Sequence, residues 1–99
     1  MTNTALKTAK PKLKKPKKFQ VILLNDDYTT MEFVVEVLRI FFDKSQEDAE
    51  DIMLKIHIKG ESVCGTYSYD VAHTKLSQVI EFSRKNHQPL MCILRELAN

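Results

Sequence analysis

Two glycines among 99 residues leave no room for the glycine-rich loops that cradle phosphates in Walker or Rossmann sites, which removes most nucleotide-using enzymes. Two cysteines, Cys64 and Cys92, cannot build a disulfide framework, and neither belongs to a CxxC pair, so reduced thiols are expected. No long apolar run suits a membrane span, and the segment from Met1 to Lys10 lacks the apolar block of a signal peptide, so export is not expected. His57, His73 and His87 do not fall at ligand spacing, and no metal or other cofactor is expected. The chain is short enough for one domain and, at 43% apolar residues, rich enough to fold one.

The formal net charge of +2 hides two unlike segments. Residues 1–18 hold seven lysines and no acid, whereas residues 19–99 hold eight Lys and Arg against thirteen Asp and Glu, giving +7 and −5. The first segment also contains Pro11 and Pro16 and only Leu6 and Leu13 as large apolar side chains. It cannot bury enough surface to offset its ordering entropy, so a disordered extension over 1–18 and a domain over 19–97 are expected.

Phe19-Gln20-Val21-Ile22-Leu23-Leu24 is a short apolar run rich in β-formers and ended by Asn25-Asp26-Asp27, the pattern of a strand running into a loop. Thr29 and Glu32 fit a capping box for a helix through MEFVVEVLRIFFD, whose Phe33, Val34, Val37, Leu38, Phe41 and Phe42 recur at helical spacing. Ser45 offers a second N-cap, Ala49, Ile52, Met53 and Ile56 share one face of the next helix, and Gly60 closes it. Ser62–Tyr67 reads as a strand weakened by Gly65. A third helix starting at Ser68 or Tyr69 presents Val71, Ala72, Leu76, Val79, Ile80 and Ser83, stops before Pro89, and leads to a strand at Leu90–Leu94. The order β-α-α-β-α-β predicts an α+β fold, with three helices packed against a three-stranded antiparallel sheet.

The densest polar cluster beside apolar structure is Asn25-Asp26-Asp27-Tyr28-Thr29. Adjacent carboxylates do not share one proton-transfer site, and the run is too short for a calcium loop. Turn and cap chemistry accounts for it without any ligand. His57, near the end of the second helix, has an equally plain role as a C-terminal charge partner. Each cysteine sits in an apolar strand, where a small-hydrophobe role is commoner than a nucleophile. Met31, Val34, Met53, Ile56 and Leu90 read as core. Their placement nevertheless offers an alternative: if the first two helices pack antiparallel, Met31 and Val34 lie beside Met53 and Ile56. An apolar hollow rimmed by Asn25, Asp26, Asp27 and His57 then forms.

Val21-Ile22-Leu23-Leu24-Asn25-Asp26-Asp27-Tyr28-Thr29, followed by Met31-Glu32-Phe33-Val34, resembles the signature of the ClpS family, bacterial adaptors of the ATP-dependent protease ClpAP. Met53-Leu54-Lys55-Ile56-His57, Val63-Cys64-Gly65, Val71-Ala72-His73-Thr74-Lys75 and His87-Gln88-Pro89-Leu90-Met91-Cys92 agree in order and spacing, so the resemblance covers about residues 18–97. It implies a cytoplasmic, monomeric adaptor that is not itself an enzyme. Such an adaptor binds N-degrons, substrates beginning with Leu, Phe, Tyr or Trp, and hands them to the unfoldase ClpA. By the same resemblance, Asn25, Asp26, Asp27 and His57 would engage the substrate's α-amino group. Thr29, Met31, Val34, Met53, Ile56 and Leu90 would line the pocket for its first side chain, with Met31 as a gate against β-branched residues. Asp70, His73, Thr74 and Lys75 would contact the ClpA N-terminal domain.

Thr30 stands where many relatives have Pro, and His73 where Glu is commoner. A competing reading is a nucleic-acid or ribosome-associated module that binds phosphates through its seven tail lysines. The tail's lack of Arg and aromatics and the acidic domain count against it, and no nucleic acid or membrane partner is expected.

Overall fold

A computed structural model describes residues 16–98. The segment 1–15, with five of the seven tail lysines, lies outside them, and so does most of the expected extension. The elements are β1 (Lys18–Leu24), α1 (Met31–Phe41), α2 (Gln46–Lys59), β2 (Glu61–Ser68), α3 (Tyr69–Lys85) and β3 (Met91–Leu97). β1 is the central strand, antiparallel to β2 on one side and β3 on the other. The α+β architecture and the β-α-α-β-α-β order expected from the sequence are both present.

Alternation along β1 sorts the two sheet faces. Val21 and Leu23 point into a core shared with Phe33, Val34, Val37 and Leu38 of α1, Ala49 and Ile56 of α2, and Ala72 and Val79 of α3. Cys64 and Cys92 complete it from the flanking strands. Phe82 clamps α1 against α3, its ring 5.3 Å from both Phe33 and Phe41. Ile22 lies on the opposite face yet is fully buried, flanked by Val63 and Ile93 in register. Arg95 Nη1, 3.0 Å from Glu61 Oε2, joins the two edge strands across β1 on that face.

Several boundaries differ from the sequence reading. β1 begins at Lys18, which pairs with both Ser68 and Leu97. β3 continues past Leu94 through Arg95, Glu96 and Leu97, because pairing with β1 supplies what hydrophobic patterning does not. α1 ends at Phe41 rather than Asp43, since Asp43 takes a left-handed φ of 55° that a helix cannot continue. Val71, expected on the buried side of α3, is exposed, while Ala72, Val79 and Ser83 are buried. Gly65 sits beside a bulge at which Cys64 is the extra residue. A Cβ at Gly65 would lie 2.7 Å from Tyr67 Cε2, so the glycine makes room for that ring.

Candidate functional site

The cap of α1 departs from expectation. Thr30, not Thr29, is the N-cap, its hydroxyl accepting from the Phe33 N–H at 3.1 Å. Glu32 therefore sits one residue too early to close a capping box. Thr29 serves the loop instead. Its hydroxyl donates to Asp26 Oδ2 at 2.6 Å, and Asp26 Oδ1 accepts from the N–H groups of Tyr28 (2.8 Å) and Thr29 (2.7 Å). Burial pushes the Asp26 carboxyl up, but these three hydrogen bonds outweigh it and hold the group below its ordinary value of 3.8.

A second set of bonds brings α2 to this loop. The Asn25 N–H donates to the Gly60 carbonyl at 2.8 Å, and the Gly60 N–H donates to the Ile56 carbonyl at 2.8 Å. Gly60 adopts φ 93°, the left-handed C-cap that only glycine takes without strain. The end of α2 is thereby laced to the end of β1, and His57 comes to the rim occupied by Asn25. Ser45 caps the other end of α2, accepting from Asp48 N–H at 3.1 Å as the sequence predicts.

These constraints create a hollow of about 260 Å³ lined by Met31, Val34, Met53 and Ile56, with Asn25, Asp26, Asp27, Thr29 and His57 around it. A cavity of about 150 Å³ already accepts benzene, so a single bulky side chain fits. Nine of the ten residues expected at the site meet here. Leu90 does not border this hollow: it is buried and faces another of about 260 Å³ beside Ser83 and Gln88. The two hollows are neighbours, because Gln88 Oε1 accepts from the Thr30 N–H at 3.2 Å. That contact, between residues 58 apart in sequence, is a site feature that no local pattern signals.

Chemically, the rim is rich in acceptors. Asn offers an amide oxygen, neutral histidine a ring nitrogen, and aspartate a full negative charge. Asp27 and His57 are exposed, whereas Asp26 is half-buried and spends its oxygens on the loop. Such a rim over an apolar floor suits a ligand with a cationic head beside a hydrophobic group.

The four expected docking residues lie on the first half of α3. Asp70 and His73 are exposed. Thr74 is exposed too, but its hydroxyl turns back to the Asp70 carbonyl at 3.0 Å. Lys75 is half-buried, and its Nζ donates to the Phe41 carbonyl at 2.7 Å. It thus satisfies a carbonyl at the α1 terminus that has no intrahelical partner.

Cys64 and Cys92 are buried, and burial pushes both thiols up to about 12. At neutral pH neither is a thiolate, so neither has the form in which cysteine attacks. Among the described residues, no helix is long and apolar enough to cross a membrane.

Comparison with known proteins gives the arrangement a context. The family described as "ATP-dependent Clp protease adaptor protein ClpS" matches residues 14–93. The ATP-dependent Clp protease adapter protein ClpS of Rhodospirillum centenum is 53% identical over 88 residues, covering 89% of this chain and 82% of that protein. The protein of the same name in Caulobacter vibrioides NA1000 is 54% identical over 87 residues, covering 88% and 80%. The solved structure of Agrobacterium tumefaciens ClpS2 bound to L-phenylalaninamide superposes with a TM-score of 0.81 at 34% identity, over 84% of this chain and all of that one. This chain belongs to the ClpS family of Clp protease adaptor proteins.

Proposed function

We propose that this chain captures the free α-amino group and bulky first side chain of N-degron substrates beginning with Leu, Phe, Tyr or Trp, and delivers them to the ClpA unfoldase of ClpAP in the bacterial cytoplasm. The observation that carries this is the meeting of Asn25, Asp27 and His57 above the hollow formed by Met31, Val34, Met53 and Ile56. Phenylalaninamide, the ligand of the Agrobacterium relative, has a free amine next to an aromatic side chain, which are the two groups this site is suited to hold.

In this role Asn25, Asp27 and His57 accept from the ammonium, each charge-assisted bond contributing roughly 1.5–3 kcal/mol. Asp26 adds negative charge and fixes the loop that carries the others. The apolar floor contributes about 1.5–3 kcal/mol for a buried Leu or Phe. The methionines, unbranched and polarizable, adapt to either shape, and Met31 at the mouth crowds a β-branched side chain. Asp70, His73, Thr74 and Lys75 form the contact with the ClpA N-terminal domain, and the chain acts as a monomer. The domain spans residues 19–97, preceded by a lysine-rich extension.

A fluorescent peptide beginning with Phe, its N-acetylated twin and a Val-first control test the reading. Acetylation removes the charge and donors and should weaken binding by about 3 kcal/mol or more, with Val-first binding also weak. Equal binding of all three rejects it. Asp70→Lys should leave peptide binding intact and reduce ClpAP degradation of a Phe-initiated substrate; unchanged degradation excludes Asp70 from delivery.

A further inference from the structure

The end of α3 folds the chain back on itself and leaves a hollow there. The His87 N–H donates to the Arg84 carbonyl at 3.1 Å and the Gln88 N–H to the Ser83 carbonyl at 2.9 Å, a complete Schellman ending. His87, at φ 58°, holds the left-handed position that glycine usually fills. The turn brings Pro89, Leu90 and Met91 to Ile80, Ser83 and Arg84, and together they line the hollow of about 260 Å³. It shares no lining residue with the hollow under the acidic rim.

Two polar groups of this hollow lack partners among the described residues. Ser83 is 1% exposed, and its hydroxyl makes no hydrogen bond. Buried polar atoms are rarely left so, and such an orphan marks the place of a group that the chain does not itself supply. Arg84 makes no ion pair. Glu81, three residues earlier on α3, is held by Lys85 at 3.7 Å. Residues 19–99 carry a net −5, yet the stretch 82–95 contains no Asp or Glu. The hollow therefore lies in a basic corner of an acidic domain.

We propose that this hollow binds a small carboxylate with an apolar body. The Arg84 guanidinium holds the carboxylate, and Ile80, Pro89, Leu90 and Met91 pack on the body. A guanidinium presents a planar fork that meets a carboxylate through two parallel charge-assisted bonds. A cavity of about 150 Å³ already accepts benzene, so the volume suits one ring on a short acid chain. The charge required is opposite to that of the ammonium suited to the acidic rim. The inference does not depend on the N-degron reading.

Chemical-shift titration of the isotope-labelled full chain tests it, with hydrocinnamate and its neutral twin hydrocinnamide as probes at up to about 10 mM. The acid should move the backbone amide signals of Ser83, Arg84, Leu90, Met91 and Cys92 and bind at least about fivefold tighter than the amide. Arg84→Gln, a change at an exposed position, should abolish that preference and leave hydrocinnamide unaffected. Lys55→Gln, the same charge change on α2 outside the hollow, should alter the acid's affinity by no more than about twofold, which separates a local contact from the general field. The proposal falls if neither probe moves these signals, if acid and amide bind alike, or if the two variants act alike. Shifts centred on Asn25, Asp27 and His57 would put the acid in the other hollow and overturn it equally.

Discussion

The Thr29 hydroxyl donates to Asp26 Oδ2 at 2.6 Å, and this bond cross-ties the loop after β1. Thr29→Val keeps the volume and removes the donor. It should lower stability by about 1 kcal/mol and weaken Phe-peptide binding more than it weakens the fold, because Asn25 and Asp27 hang on the same loop. Thermal melts beside peptide titrations separate the two effects; unchanged affinity would mean the loop does not need the bond.

Acidification should act on the same carboxylate. The folded-state pKa of Asp26 is depressed below 3.8, so its contribution to stability is complete above that value. It is lost as pH falls through the folded pKa. Thr29→Val should therefore flatten the decline in stability below pH 4, measured by urea unfolding across pH 2–6. Parallel profiles for the two proteins count against this linkage.

Peptide affinity should depend on the acceptor that the His57 ring nitrogen offers the ammonium. His57→Ala should reduce the affinity of a Phe-initiated peptide about tenfold or more, from the loss of a bond of roughly 1.5 kcal/mol or above. Unchanged affinity in a peptide titration excludes this role.

The two cysteines should resist modification. Buried thiols with pKa about 12 offer almost no thiolate at pH 8, so neither Cys64 nor Cys92 should react with iodoacetamide in the folded protein. Both should react on unfolding in guanidinium, and mass spectrometry distinguishes the states. Fast native labelling of either would contradict its burial.

Lys75 illustrates a side chain with a structural task inside a surface proposed for docking. Its 2.7 Å bond to the Phe41 carbonyl ties α3 to the end of α1. Lys75→Met retains the stem and should destabilise by about 1–2 kcal/mol, a drop of several degrees in Tm, with peptide affinity held. An unchanged Tm would show that the bond contributes nothing net.

The elements were legible because their signals are local. The run from Phe19 to Leu24, the helical spacing of Phe33, Val34, Val37 and Leu38, and the Ser45 and Gly60 punctuation each lie within a few residues. The cap of α1 was misread because Thr29 and Thr30 are adjacent and both suit an N-cap. The decision fell to Asp26, which engages the Thr29 hydroxyl and leaves Thr30 to cap. Strand β3 was read too short because its last residues, Arg95 and Glu96, carry no apolar signal and are ordered by pairing with β1.

By itself, then, the sequence determined the order of elements, the acidic character of the folded part and the short-range turns that aim Asp26 and Thr29. It also carried the family signature. Tertiary structure decided which distant residues meet. The Asn25–Gly60 bond sets His57 at the rim, Gln88 brings the loop before Leu90 to Thr30, and the packing of α1 on α2 leaves a groove beyond Met31 and Met53. The division has one physical cause. Turns and caps are satisfied by neighbours along the chain, whereas a cavity is the space left between surfaces that only packing brings together.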